Sequence, residues 1–132
     1  MKAPSTKNFN IKTDPKIGCT CGDERCTKPV LTQLALSRAQ AMRNDIKQPM
    51  VINSGARCQY HPSEAHRKAG EGDHQKCETI DFKCNDEMLE TKIKVLAGRY
   101  GATRVAGGAY CGFVHCCFGE IERADVPTWT YK

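Results

Sequence analysis

The 132-residue sequence contains no long apolar run. A membrane-spanning helix needs about 20 predominantly apolar residues in succession, and no stretch of this chain approaches that length. Residues 1–5 lead into polar sequence without the apolar stretch of a secretory signal. We therefore expect a protein that is made in the cytoplasm, has no membrane partner and needs another route to any site outside the cell.

Aromatic residues are also scarce, with one Trp, four Tyr and four Phe. The formal net charge is +5, but Lys and Arg are interleaved with acidic residues and form no basic stripe. Proteins that bind single-stranded nucleic acid combine a basic groove with aromatic side chains that stack on bases. Both features are missing, so we expect no nucleic-acid partner, although the positive charge suits an anionic wall polymer.

Internal repeats and low-complexity tracts are absent too, and 39% hydrophobic with 27% charged residues is typical of a soluble globular protein. Apolar residues recur at helical spacing over residues 29–46 and again after Asn85 or Asp86, either of which would cap a helix. Short strand-like runs cover residues 50–54, 79–83, 104–106 and 113–118. This order predicts one α+β domain over residues 1–132, a small, largely antiparallel sheet with two main helices, preceded by an extended lead over residues 1–18.

Cysteine, in contrast, is abundant, with nine residues. An odd number cannot pair completely within one chain, and without a secretory signal disulfides are not the default. Cys19, Cys21 and Cys26 could hold a structural zinc ion if Cys58 or another thiolate completed the set. Their spacing is not that of a standard zinc finger, so a second metal site, a disulfide formed after release and inert thiols all remain open.

A histidine and an aspartate lie seven positions apart, at His74 and Asp81. Asp81 falls within an alternating run that places Ile80 and Phe82 on the opposite strand face. Aspartate on a strand, histidine on the preceding loop and one further imidazole would form a zinc site with a fourth position free for water. The alternative is a solvated loop histidine and an ordinary strand aspartate.

The further imidazole is offered by His115, in the strand-like run at residues 113–118. Strand geometry places His115 and Cys117 on one face. The ordinary fate of a lone strand histidine is a core position with a backbone hydrogen bond. Together with His74 and Asp81, however, it gives a nitrogen, oxygen, nitrogen donor set that suits zinc.

These residues resemble a known family. Ser-Gly-Ala-Arg at 54–57, the His74 to Asp81 spacing and the late Phe-Val-His at 113–115 are similar to the zinc D-Ala-D-Ala carboxypeptidases and their phage endolysin relatives, which have a hedgehog-like zinc peptidase fold. The resemblance covers roughly residues 9–129. It implies that His74, Asp81 and His115 bind zinc, and that Arg57, otherwise a surface arginine, binds substrate oxygens and stabilises a developing oxyanion.

The sequence departs from the family pattern at several positions. Gly72, Cys77 and Thr79 stand where the family has Ser, Gly and Ala, and Cys117 stands where relatives often carry Asp. Gly112 occupies the position, three before His115, where many relatives have an acidic general base. The candidates for a replacement base are Asp73, Glu120 and Glu122. His61 and His66 are not expected to be ligands because neither has the spacing of the zinc pattern.

The resemblance implies a zinc metallopeptidase that hydrolyses peptide bonds in peptidoglycan stem peptides, as a D,D-carboxypeptidase or endopeptidase. Such a protein would act at the bacterial cell wall after phage-type release, or in a virion. The departures at Gly112 and Cys117 favour an alternative, a catalytically weak, zinc-bound module that binds the wall or builds a virion. A third hypothesis is a cysteine-rich zinc module that binds nucleic acid. The sequence does not indicate an oligomeric state.

Overall fold

The computed structural model describes residues 4–65 and 72–119, and the backbone alone of residues 128–129. Within these ranges the chain forms two α-helices and a five-stranded sheet. The helices are α1 (Gln33–Ile46) and α2 (Glu87–Arg99), and the strands are β1 (Ile52–Ser54), β2 (Thr79–Lys83), β3 (Arg104–Gly108), β4 (Phe113–Cys117) and β5 (Thr128–Trp129). Neither helix has both the length and the apolarity that crossing a membrane requires.

The strands lie in the order β1-β2-β4-β3-β5. The first four form an antiparallel sheet, and β5 pairs in parallel with β3. This confirms the α+β fold with two main helices and a largely antiparallel sheet. The register places Asp81 of β2 directly opposite His115 of β4, which in turn lies opposite Ala106 of β3.

One face of the sheet packs on the helices and forms the apolar core. Ile80 and Phe82 of β2, with Val114 and Cys116 of β4, have no exposed surface. They share a single core cluster with buried residues of both helices, among them Ala35, Leu36, Ala39, Met42, Ile93 and Ala97. Because side chains alternate along a strand, Asp81 and His115 lie on the other face, away from the helices.

Helix α1 begins four residues later than the start at Pro29 that its apolar spacing predicted. Thr32 is the N-cap, and its hydroxyl accepts a hydrogen bond from the Ala35 amide at 3.2 Å. Val30 instead pairs with Gly18 in an antiparallel bridge. A hydroxyl cap and a competing bridge therefore override the helical periodicity at this end. Of the two predicted caps of α2, the structure uses Asp86, whose side chain accepts from the Met88 amide at 2.9 Å.

The amino-terminal lead differs from the extended segment that was expected over residues 1–18. Its described part contains a turn at residues 11–13 and a 3₁₀ helix at Pro15–Ile17. Phe9 and Ile17 are each only 1% exposed and belong to the apolar core. Burial of these two side chains docks the segment on the core.

Some expectations fall outside the described residues. They concern the side chains of Glu120, Glu122 and His66.

Candidate metal centre

The three side chains predicted to bind metal converge on the helix-free face of the sheet. Asp81 and His115 are cross-strand neighbours on β2 and β4, so their side chains point the same way. His74 comes from a short 3₁₀ helix, Asp73–Lys76, that precedes β2. That helix ends at Cys77 with φ of 63°, a left-handed conformation that favours glycine, the residue of the resembled family at this position.

Asp81 lies between the two imidazoles. His74 Nε2 is 3.3 Å from Asp81 Oδ2, and His115 Nδ1 is 2.9 Å from Asp81 Oδ1. The rings meet edge to face, with centroids 5.1 Å apart. One donor atom from each of the three residues lies within 4.8 Å of the others, and all three residues are buried. Two nitrogens and a carboxylate oxygen in this arrangement fit a zinc ion.

In each imidazole, the nitrogen that points away from Asp81 already forms a hydrogen bond. His74 Nδ1 donates to the backbone carbonyl of Gly55 at 2.7 Å, and His115 Nε2 donates to Asp73 Oδ2 at 3.1 Å. Asp73 in turn pairs with Arg104 at 3.3 Å. Metal-binding histidines nearly always donate their other N–H to a carbonyl or carboxylate, which fixes the ring orientation. The arrangement therefore leaves His74 Nε2 and His115 Nδ1 for a metal.

The ionisation of these groups follows from their contacts. Burial raises the pKa of Asp81, but its contacts with the His115 and His74 imidazoles outweigh that effect and hold the pKa at about 2. The hydrogen bond from His115, followed by the charge of Arg104, holds the pKa of Asp73 below its usual value. Both carboxylates are therefore ionised at neutral pH, and Asp81 is available as an anionic ligand.

Arg57 follows β1 and is held from several sides. Its Nε donates to Ser54 Oγ at 3.1 Å and its Nη1 to Glu64 Oε2 at 3.4 Å, while Nη2 lies 3.9 Å from Asp81 Oδ2. Glu64 is 6% exposed and also accepts from Gln75 at 3.2 Å. The guanidinium is thus fixed beside the candidate metal ligands. It is not the solvated surface arginine of the alternative interpretation.

Gly55, in the same Ser-Gly-Ala-Arg stretch, permits a close approach. A β-carbon at this position would overlap the backbone oxygen of Lys16 and press on the Leu31 side chain. Only glycine lets the Pro15–Ile17 turn pass here while the Gly55 carbonyl still accepts from His74. The glycine of the pattern therefore supports the candidate ligand His74 through its backbone.

Asp81, alone of the three candidate ligands, lines a pocket of about 240 Å³. The pocket is lined by polar and charged side chains that include Asp81, Arg57, His61 and Lys16, with Phe113 at one wall. His61 lies outside the cluster that His74, Asp81 and His115 form. Its Nδ1 accepts from the Ser63 amide at 3.0 Å, so the neutral ring carries its proton on Nε2. Partial burial and the charge of Arg57 lower the pKa of His61, which favours that neutral donor form.

The structure describes only one of the three candidates for a general base. Asp73 is occupied by His115 Nε2 and Arg104, on the far side of the imidazole from Asp81. Glu120 and Glu122 lie outside the described residues. Within the part of the chain that the structure describes, Asp81 is the only carboxylate that lines the pocket. Gly112, at the family's acidic position, has φ of 87°.

Cys117 does not join the ligand atoms, although it shares the strand face of His115. The metal-ligand cluster on this face, among the described residues, comprises His74, Asp81 and His115 alone. The Cys117 thiol lies 4.0 Å from the Gly119 carbonyl and lines a different surface pocket with Thr79 and Thr103. A zinc ion held by these three donors alone would keep a further coordination position open, as in catalytic zinc sites.

A second cluster of potential metal ligands contains the cysteines of the amino-terminal segment. Cys19, Cys21 and Cys26 meet Cys58, and the four sulfurs lie within 4.8 Å of one another.

Sequence patterns missed two residues of the site, Ser54 and Glu64. They also missed the role of Asp73 in orienting His115. Ser54 stands in the Ser-Gly-Ala-Arg stretch and could have been found there. Glu64 has no periodic context, because it lies in an irregular loop that only the fold brings to Arg57.

Comparison with protein families gives one match. The family model described as Peptidase M15 matches residues 11–117, a stretch that contains every residue of both clusters. The curated proteins give no match. The solved structures give none either.

Proposed function

Because the chain belongs to the peptidase M15 family of zinc metallopeptidases, we propose that it hydrolyses peptide bonds in the stem peptides of peptidoglycan. The observation that carries the proposal is the buried cluster of two imidazole nitrogens and one carboxylate, each imidazole fixed through its other nitrogen. Zinc is the cofactor of this family, and His74, Asp81 and His115 would hold it. When bound, zinc polarises a carbonyl and lowers the pKa of water.

Arg57 would orient the substrate. Its anchors, Ser54 and Glu64, hold the guanidinium beside the metal ligands, where it can bind a carbonyl or carboxylate oxygen and stabilise negative charge that develops there. The Nε2–H of His61 supplies a second, neutral donor in the same pocket. Two fixed donors at one pocket wall favour a reaction in which an oxyanion forms.

The substrate class rests on the family resemblance and on charge. Lys16 and Arg57 both line the pocket, so it offers two cationic side chains to a bound peptide. A terminal carboxylate, as in a stem peptide that ends in D-Ala, would be recognised by such groups. The net charge of +5 also suits an anionic wall polymer. Action at the bacterial cell wall after phage-type release, or within a virion, is part of the proposal.

Proton transfer needs a group that accepts the proton of the attacking water. Asp73 is engaged with His115 and Arg104, so the remaining candidates are Glu120 and Glu122. Replacement of each by Gln in turn should lower turnover for one of them and leave zinc bound in both. If neither change lowers turnover, the proton acceptor is elsewhere.

A digest of purified peptidoglycan tests the function. Zinc-loaded protein should release stem-peptide fragments that mass spectrometry assigns to one bond, and His74→Ala should release none. Cys111→Ser, which changes a thiol outside both clusters, is the matched control and should retain activity. Wild-type protein that holds zinc but yields no new fragment would contradict the peptidase proposal.

One observation favours the alternative, a catalytically weak wall-binding or virion module. Apart from Asp81, no described residue that lines the pocket is a carboxylate, and Gly112 replaces the family's acid. Such a module would cosediment with peptidoglycan sacculi without releasing fragments. Cosedimentation together with fragment release would reject it.

A further inference from the structure

Four cysteine sulfurs from two separate segments meet beside the pocket. Cys19, Cys21 and Cys26 come from the loop before α1, and Cys58 follows Arg57 directly. We propose that these four thiolates bind a structural zinc ion, separate from the His74 cluster, that ties the amino-terminal loop to the Arg57 segment. The proposal does not depend on peptidase activity.

The distances between the sulfurs match tetrahedral coordination. Cys58 Sγ lies 3.7 Å from Cys19 Sγ and 3.6 Å from Cys21 Sγ. With zinc–sulfur bonds of about 2.3 Å, the edges of a regular tetrahedron are about 3.8 Å long. A disulfide would bring two sulfurs to about 2.05 Å. The spacing therefore fits an ion between the sulfurs and not a bond joining them.

Backbone amides point at the sulfurs of this cluster. The Asp23 amide donates to Cys21 Sγ at 3.4 Å, the Lys28 amide to Cys26 Sγ at 3.3 Å, and the Cys58 amide to Cys19 Sγ at 3.4 Å. The first two follow the same pattern, from the residue two positions after the cysteine. N–H donors stabilise the negative charge of a thiolate and orient metal ligands.

Other cysteines of the chain behave differently. The thiols of Cys84, Cys111 and Cys117 lie against backbone carbonyls, which can only accept a hydrogen bond from S–H. Their thiols therefore act as hydrogen-bond donors. Sulfurs that accept from amides distinguish the four-cysteine cluster from these, so the cluster is not a by-product of high cysteine content.

The location gives the ion a role. Gly18 and Thr20, which flank Cys19, line the same pocket as Arg57, which precedes Cys58. The loop between Gly18 and Thr32 contains no helix or strand beyond one bridge to Val30. An ion bound to Cys19, Cys21, Cys26 and Cys58 would hold this pocket wall against the segment that carries Arg57.

Zinc content of purified protein tests the proposal. Wild type should hold two zinc ions per chain, and Cys26→Ser and Cys58→Ser should each hold one. Cys111→Ser, a half-buried cysteine outside the cluster, should retain two. His74→Ala should also hold one, and X-ray absorption of that variant should show sulfur ligands alone, at about 2.3 Å.

A second measurement on wild type covers the case in which a cysteine variant fails to fold. Titration with a mercurial thiol reagent should release one zinc ion per chain as the clustered thiols react. Wild-type protein with one zinc that His74→Ala abolishes would overturn the proposal. So would a disulfide between any two of the four cysteines in protein that was purified under reducing conditions.

Discussion

Asp81 is the residue on which the candidate centre depends. It is 5% exposed, it contacts both imidazoles, and Arg57 lies 3.9 Å from its second oxygen. A buried carboxylate with three cationic or hydrogen-bonding neighbours remains charged, which a metal ligand requires. Its neighbours therefore determine how well the site can hold zinc.

Asp73 is expected to act through His115. Because it accepts from His115 Nε2, Asp73→Ala should leave the imidazole free to rotate and should weaken zinc binding about 10- to 100-fold. Competition with a chromogenic chelator measures the affinity. Asp45→Ala, which removes an exposed carboxylate near Arg99, is the control and should bind zinc as wild type does. Unchanged affinity in Asp73→Ala would show that His115 is oriented by other contacts.

Arg57→Lys should keep zinc and lose turnover. Lysine retains the charge but cannot reach Ser54 and Glu64 with one planar group, and loss of one oxyanion donor typically costs about 100- to 1,000-fold in rate. Arg99→Lys, a change at an exposed salt bridge, is the matched control. Steady-state kinetics on a stem peptide decide the point. Equal kcat/KM in Arg57→Lys and wild type would remove Arg57 from the substrate site.

Much of the site could be predicted at this scale, and some could not. The seven-residue interval from His74 to Asp81 and the strand position of His115 were enough to propose the three ligands. The contact between Glu64 and Arg57 depends on the course of an irregular loop, which has no periodicity. The choice of ring nitrogens depends on partners, Gly55 and Asp73, that only tertiary structure supplies.

At the scale of elements, caps determine where the helices begin. Asp86 caps α2 through the Met88 amide, so Asp86→Ala should lower the free energy of unfolding by about 1 kcal/mol. Urea denaturation, followed by circular dichroism, measures the change. Lys92→Ala, within the same helix, keeps the cap and should have little effect. A loss in Asp86→Ala no larger than in Lys92→Ala would mean that another group replaces the cap.

The elements also differ in how far the sequence predicts them. The bounds of β2 agree with the expected residues 79–83, because alternation and burial act together there. The predicted start of α1 was wrong by four residues because Thr32 caps the helix and Val30 pairs with Gly18 in a bridge. The amino-terminal lead differs from the predicted extended segment because two apolar residues, Phe9 and Ile17, dock it on the core. Such long-range contacts leave no local pattern.

At the scale of the whole molecule, one face of the sheet packs in the apolar core and the other face carries the candidate metal ligands. Ile80 and Val114 face the helices and have no exposed surface, while Asp81 and His115, next to them in sequence, lie on the other face of the sheet. One pair of antiparallel strands therefore contributes to the core and positions two candidate ligands at once. The 3₁₀ helix before β2 supplies the third candidate ligand, His74.

Anomalous scattering from a crystal of the zinc-loaded protein, measured at the zinc absorption edge, tests this account most directly. We expect a peak bonded to His74 Nε2, the Asp81 carboxylate and His115 Nδ1, with zinc–nitrogen distances of about 2.0–2.1 Å. His74 Nδ1 and His115 Nε2 should still contact Gly55 and Asp73. A zinc-loaded crystal without density between these three side chains, or with zinc bound through His115 Nε2, would contradict the proposed centre.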